Sequence, residues 1–394
     1  MKKSVFAIGV ALLAAGCGDS DESIGSGAVA SPFQEMIDLG ITRYFGTAQP
    51  VASEESQPGV ITYTFDAASG PVCLQGDPYR MSVRDQYSED LFIFLQGGGA
   101  CWSDFCLAVT KAPPGIPDLD ILDPQKPTNP LRSMSTVYLP YCDGSLFAGT
   151  SEYDDTGDGV PDRIQHGLQN LSAALDIAKQ TFPHPKRVIL AGSSGGSYGT
   201  IIAAVLVRAK WPGIDLLVFE DSGPGVAKAG DTAFIQKLAS QFSFAQWIPN
   251  SCMDCLGNGH VTRLIDWELA HDPQLSIAVF TAYEDLVISQ IFLDISGADY
   301  KSAIIEETGR LHQHYPDRYK RFIINGQQHT TLLGNVTGIV GTDLTSLILP
   351  PDIISKLANL KIGGIDTTAI GTETIASWFD DMVHGNPGWA DMTQ

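Results

Sequence analysis

Short apolar runs rich in β-branched and aromatic residues recur along the chain at 91–95, 136–139, 187–191, 216–220, 276–281 and 321–325. Runs of this length without polar alternation suit strands covered on both faces, so they predict a buried, mostly parallel sheet. Between them Leu168, Leu171, Leu175 and Ala178 keep helical spacing, as do Ile201, Ala204, Val205 and the aliphatic stem of Arg208. Strand and helix in alternation predict a three-layer α/β fold. No internal repeat occurs and no Pro/Gly/Ser linker follows residue 30, which predicts one domain over 34–394 with insertions at 224–271 and 330–368.

The amino terminus breaks this pattern. Lys2 and Lys3 precede an apolar run over 5–15 that is too short to span a membrane permanently, which predicts an export signal over 1–16. Leu13-Ala14-Ala15-Gly16-Cys17 resembles a bacterial lipobox, with Cys17 as the lipidated residue and 17–33 as a flexible Gly/Ser/Asp/Glu-rich tether. The expected location is the cell envelope, where the membrane is reached only through the lipid. Setting Cys17 apart leaves Cys73, Cys101, Cys106, Cys142, Cys252 and Cys255, an even set that suits disulfides in an oxidising compartment. Short loops favour Cys101 with Cys106 and Cys252 with Cys255, leaving Cys73 for Cys142. Cys252 and Cys255 near His260 could alternatively form half a zinc site, but no second CxxC pair completes it.

Charge narrows the partners. Forty-five acidic against 24 basic residues give a net charge of −21, a field that repels polyphosphates, so nucleic acid is excluded as a partner.

Candidate chemistry lies where the run 187–191 enters Gly192-Ser193-Ser194-Gly195-Gly196 and then a helix. This is G-x-S-x-G in a strand-turn-helix context, a turn that lifts Ser194 Oγ off the sheet. The helix N-terminus behind it aims N–H groups at an oxyanion formed beside Ser194. The structural alternative is a glycine-rich turn in which Ser193 or Ser194 caps the helix. A serine nucleophile needs an imidazole held by a carboxylate, in the chain order Ser, Asp or Glu, His. His329 follows the run 321–325 across a short loop and is expected to be the base. Asp285 and Asp221 each end a strand; Asp285 is preferred because its strand is nearer in sequence to that of His329, and Glu284 is a weaker neighbour. The loop Gln96-Gly97-Gly98-Gly99-Ala100-Cys101-Trp102 offers further oxyanion donors and lacks the Lys and Ser/Thr of a phosphate loop. A Cys101–Cys106 bridge would stiffen it.

Together, Cys73-Leu-Gln-Gly-Asp-Pro-Tyr79, Gln96-Gly-Gly-Gly-Ala-Cys-Trp102, Pro140-Tyr-Cys-Asp-Gly144, the Ser194 turn, Asp221-Ser-Gly223 and His329 resemble the pectinacetylesterase family, which also contains the animal Wnt deacylase Notum. The resemblance runs in order from about Gly59 to the neighbourhood of Trp378. It implies an α/β-hydrolase-like fold and a serine carboxylesterase acting on an O-acyl ester, most simply acetyl, of a polysaccharide such as pectin. It implies Ser194 as nucleophile, Asp285 as acid and His329 as base, the backbone N–H groups of Gly98, Gly99 and Gly195 as oxyanion donors, and a structural Asp221. Two departures touch the pocket wall: Gly-Gly-Gly stands where the family has Gly-Gly-Trp, and Asp-Gly-Ser follows Cys142. The net charge opposes close approach to a dense polyuronate at low salt.

No cofactor is required for such a reaction. The acidic loop 154–162 places Asp154, Thr156, Asp158 and Asp162 at alternate positions, which suits a structural Ca²⁺ as well as a solvated turn. The expected partner is an acylated glycan or small ester, met by a monomer. Two other functions fit the same pattern: hydrolysis of longer acyl or polymeric esters, with 339–354 and Phe242, Phe244 and Trp247 as lid or acyl pocket, and a non-catalytic surface binding module.

Overall fold

The main-sheet strands, in chain order, are β1 (Pro50–Gln57), β2 (Val60–Phe65), β3 (Arg80–Arg84), β4 (Asp90–Leu95), β7 (Ser135–Leu139), β10 (Arg187–Ser193), β11 (Asp215–Asp221), β12 (Leu275–Ala282), β13 (Tyr319–Ile324) and β16 (Met392–Thr393). Three small hairpins lie outside it: β5 (Gly99–Trp102) with β6 (Phe105–Ala108), β8 (Ser151–Tyr153) with β9 (Arg163–Gln165), and β14 (Ala369–Ile370) with β15 (Glu373–Thr374). This computed structural model describes residues 30–334, 355–356, 360–361 and 363–394. Ser31–Gln394 forms one compact unit. The expected signal over 1–16, the lipidation site Cys17, most of the tether and the apolar stretch 339–354 lie outside the described residues.

Spatially the sheet runs β1-β2-β3-β7-β4-β10-β11-β12-β13-β16. Every neighbouring pair from β7 to β16 is parallel, whereas β1, β2 and β3 pair antiparallel with one another and with β7. The chain is therefore an α/β protein with an α/β-hydrolase-like, mostly parallel sheet. All six apolar runs of the sequence fall within parallel strands. The antiparallel edge was not legible in the same way, because β1 is polar and largely exposed and carries no apolar run.

Alternation along each central strand fills two cores. Leu91, Ile93, Leu95, Val188 and Leu190 face one side, while Phe92, Phe94, Ile189 and Ala191 face the other. The first side is covered by helices Gly167–Thr181, Gly195–Lys210, Thr262–His271 and Gly297–His314. Among the described residues, the second is covered by helix Ile375–His384 and by loop residues such as Ile121, Leu131 and Leu332. The third layer is thus thinner than a symmetric helical sandwich.

Beneath the first helical layer two acids are buried without a full set of partners: Glu220 of β11, at Oε2, and Glu268 of helix Thr262–His271, at Oε1. Burial pushes both carboxyls well above the usual carboxylate range, and for Glu268 the nearby Glu220 and Asp272 add to it. The fold therefore holds the Glu268 proton above pH 4.5, where the unfolded chain releases it, and stability falls as pH rises through that window. Glu268→Gln is always neutral and should melt higher than the parent at neutral pH. The gap should widen between about pH 5 and pH 7 by up to ~1.4 kcal/mol per pH unit. Thermal melts across pH check this; a gap independent of pH would refute the buried-acid account.

Candidate active site

Ser194 sits between β10 and helix Gly195–Lys210 with φ 54° and ψ −119°, a backbone state that side chains rarely adopt. The turn closes because its neighbours carry no Cβ. A methyl on Gly196 would stand 2.2 Å from the Leu95 carbonyl oxygen, and one on Gly97 would stand 2.9 Å from Ser194 Cβ. The glycine loop after β4 can therefore press against the turn. No side-chain cap is made by Ser194 at this helix end, so its hydroxyl is available for another partner.

That partner is His329. Its Nε2 lies 2.9 Å from Ser194 Oγ, although 135 residues separate the two in sequence. On the far side of the ring, Nδ1 lies 2.9 Å from Asp285 Oδ2 and 3.0 Å from Oδ1. An ionised carboxylate only accepts hydrogen bonds, so Nδ1 carries the proton and Nε2 is left to accept from the serine hydroxyl. Asp285 is fixed in turn, since its Oδ1 also accepts from the backbone N–H groups of Val287 and Ile288. The acid and base loops are stitched together by Glu284 N–H donating to the Gly326 carbonyl at 2.9 Å and Leu286 N–H donating to that of Gln327 at 3.3 Å. All three side chains are buried, with exposures of 5% for Ser194, 2% for His329 and 0% for Asp285.

Asp221, the alternative acid, does not touch the imidazole through any hydrogen bond. Its carboxylate accepts from Ser193 Oγ and from the backbone N–H groups of Thr331 and Leu332. Burial is the largest influence on it and lifts its carboxyl to about 6, against the opposing effect of those donors. Glu284 lies beside the site without joining it.

The expected oxyanion donors also converge. Gly195 opens the helix, where the first N–H groups have no intrahelical acceptor, and its Cα faces the Gly98–Gly99 backbone. A Cβ on Gly195 would stand 2.9 Å from the Gly99 oxygen and 3.8 Å from the Gly98 nitrogen. β5 and β6 pair with Cys101 opposite Cys106, and these two form a disulfide that closes the loop. The other bridges are Cys73–Cys142 and Cys252–Cys255. The last occupies both thiols of the alternative zinc site, and the Nδ1 of His260 accepts instead from Ala227 N–H.

With Ser194 activated by an imidazole beside convergent amides, the arrangement is that of an acyl-transfer site. The family model for pectinacetylesterase matches residues 52–243. The chain is a carboxylic ester hydrolase. The matched span holds the glycine loop and Ser194 of this pectinacetylesterase-like hydrolase and ends before Asp285 and His329, short of the extent to Trp378 that the sequence motifs suggest. No curated protein matches the chain.

Beside Ser194 the hydrolase has a space of about 940 Å³, its open mouth included. Its walls are almost wholly apolar: Trp102 on the glycine-loop hairpin, Ile202 on the helix behind the nucleophile, Val226, Phe234 and Leu264 from the inserted segment 224–271, and Phe292. Phe242 and Phe244 also line it, whereas Trp247 packs elsewhere, with the Arg43 guanidinium 4.5 Å from its ring centre. No motif marks this cavity, because its walls come from apolar residues spread over much of the chain.

The acidic loop 154–162 turns its carboxylates onto its own backbone. Asp154 accepts from the N–H groups of Gly157, Asp158 and Gly159, Asp158 from that of Val160, and Asp162 from that of Thr156. Among the described residues no group of three or more His, Cys, Asp or Glu side chains is placed to hold a metal ion. Among them, too, no helix is long and apolar enough to cross a membrane.

Proposed function

We propose that the chain is a serine esterase acting through Ser194, His329 and Asp285. The observation that carries this reading is the unbroken chain of hydrogen bonds from Ser194 Oγ through both imidazole nitrogens to a buried carboxylate. His329 Nε2 takes the serine proton as Oγ attacks the ester carbonyl, and Asp285 stabilises the resulting imidazolium. The N–H groups of Gly98, Gly99 and Gly195 receive the tetrahedral oxyanion. His329 then protonates the leaving alcohol, and water repeats the sequence on the acyl-enzyme. No metal or organic cofactor takes part. In this reading the enzyme acts as an exported lipoprotein, and an acetylated polysaccharide is the substrate to which the pectinacetylesterase match points.

The cavity favours a longer acyl group. An acetyl methyl would leave most of this apolar space empty, whereas each methylene buried there contributes about 0.8 kcal/mol, or roughly fourfold in kcat/KM when it is felt in the transition state. In a series of p-nitrophenyl esters of increasing length, kcat/KM is therefore expected to climb from acetyl to a medium-length chain. Ala227→Phe, which fills the cavity beside the inserted segment, should move the optimum back towards acetyl. A maximum at acetyl in the parent enzyme would leave the acetylesterase reading and remove the longer-chain one.

A further inference from the structure

Nucleophile and base belong to loops 135 residues apart, and productive proton transfer tolerates only about 0.5 Å of misplacement. Asp285 orients the imidazole from one side but makes no hydrogen bond to the Ser194 turn. A separate tie spans the two loops at the end of β11. Asp221 Oδ2 accepts from Ser193 Oγ at 2.6 Å, immediately before the nucleophile, and from Leu332 N–H at 3.0 Å. Its Oδ1 accepts from Thr331 N–H at 2.9 Å, and its backbone carbonyl accepts from Ser194 N–H at 2.7 Å. The next residue continues the pattern, with Ser222 Oγ accepting from Thr330 N–H at 2.9 Å. Three successive amides after His329 are thus held by the same two residues that hold the nucleophile turn.

Backbone strain gathers at the same place. Ser194, Ser222 and Thr330 have φ of 54°, 64° and 58°, values unusual for residues with a side chain. Such a conformation persists only where the surroundings over-determine it, and here the tie from Asp221 and Ser222 reaches all three. Asp221 is itself fully buried.

We propose that Asp221 is the positioning residue of this esterase, fixing Ser194 against His329 by binding the residue before the nucleophile and the amides after the base. The proposal rests on the Ser194–His329 reading of the site and goes beyond a structural part for Asp221. The carboxylate acts through both loops and touches no substrate. Its charge matters, because only an ionised carboxylate accepts from a hydroxyl and two amides without presenting a donor of its own.

Asp221→Asn keeps the shape but points an NH₂ at groups that are themselves donors. In the folded variant, kcat for a short p-nitrophenyl ester should fall about 10²-fold with KM little changed. Labelling of Ser194 by a fluorophosphonate should slow by a similar factor, since it needs the same alignment. Ser193→Ala removes one arm of the tie and should lower kcat about tenfold at unchanged KM and melting temperature. It serves as the test if the Asn variant fails to fold by circular dichroism. Wild-type kcat in a folded Asp221→Asn or in Ser193→Ala, or a loss seen only in KM or melting temperature, would overturn the proposal. Ser194→Ala assayed alongside separates the two ideas: an active Ser194→Ala rejects the site itself, whereas an inactive one beside a fully active Asp221→Asn rejects only the positioning role.

Discussion

Replacing Ser194 with alanine is expected to lower kcat for a small ester by roughly 10³-fold or more while leaving the protein folded. The magnitude follows from the geometry: Ser194 Oγ is the atom facing His329 Nε2, and without it the imidazole can only recruit water into a buried, apolar cleft. The fold should tolerate the change. Ser194 makes no side-chain cap to its helix, and the turn is held through its backbone N–H and the Asp221 carbonyl, which alanine keeps. Initial rates with p-nitrophenyl acetate, together with circular dichroism, are the check. Near-parental turnover by the alanine variant would reject Ser194 as nucleophile.

Asp285→Asn should be nearly as damaging, lowering kcat by up to about 10⁴-fold with KM little altered. The two backbone amides of Val287 and Ile288 claim the Oδ1 position, so the carboxamide oxygen settles there and its NH₂ occupies the Oδ2 position beside His329 Nδ1. A donor at that point drives the imidazole proton onto Nε2, where it faces the serine hydroxyl and can no longer remove its proton. Steady-state kinetics at neutral pH test this. A variant within about tenfold of the parent would mean that the acid is some other carboxylate.

These two residues also illustrate how unevenly the site could be read from the sequence. The Ser194 turn was legible because its geometry demands glycines, and those glycines surround a serine between a strand pattern and a helix pattern. His329 could be placed by its position just past the last parallel strand. Asp285 and Asp221 could not be separated by pattern alone, since both stand at strand ends on the same edge. The hydrogen bonds distinguish them, one carboxylate meeting an imidazole and the other meeting backbone amides and a hydroxyl. The cavity stayed hidden because a wall of Ile202, Phe234 and Leu264 looks, along the chain, like ordinary core. In the acidic loop the spacing of the oxygens was visible, but not that those oxygens would turn back upon the loop's own amides.

The fold was legible where both faces of a strand are buried and much less so where one face meets water. The central runs lie between two cores and must be apolar throughout. β1 lies at the edge and is mostly exposed, so Pro50–Gln57 could be almost any polar sequence.

Much of the cavity wall comes from the inserted segment between β11 and β12, while the hydrogen-bonded chain from serine to carboxylate hangs on the ends of β10, β12 and β13. Reactivity and selectivity are therefore written into different stretches of polypeptide. Exchanging that one excursion could retarget the enzyme to acids of another size, with its bond-breaking apparatus carried over unaltered.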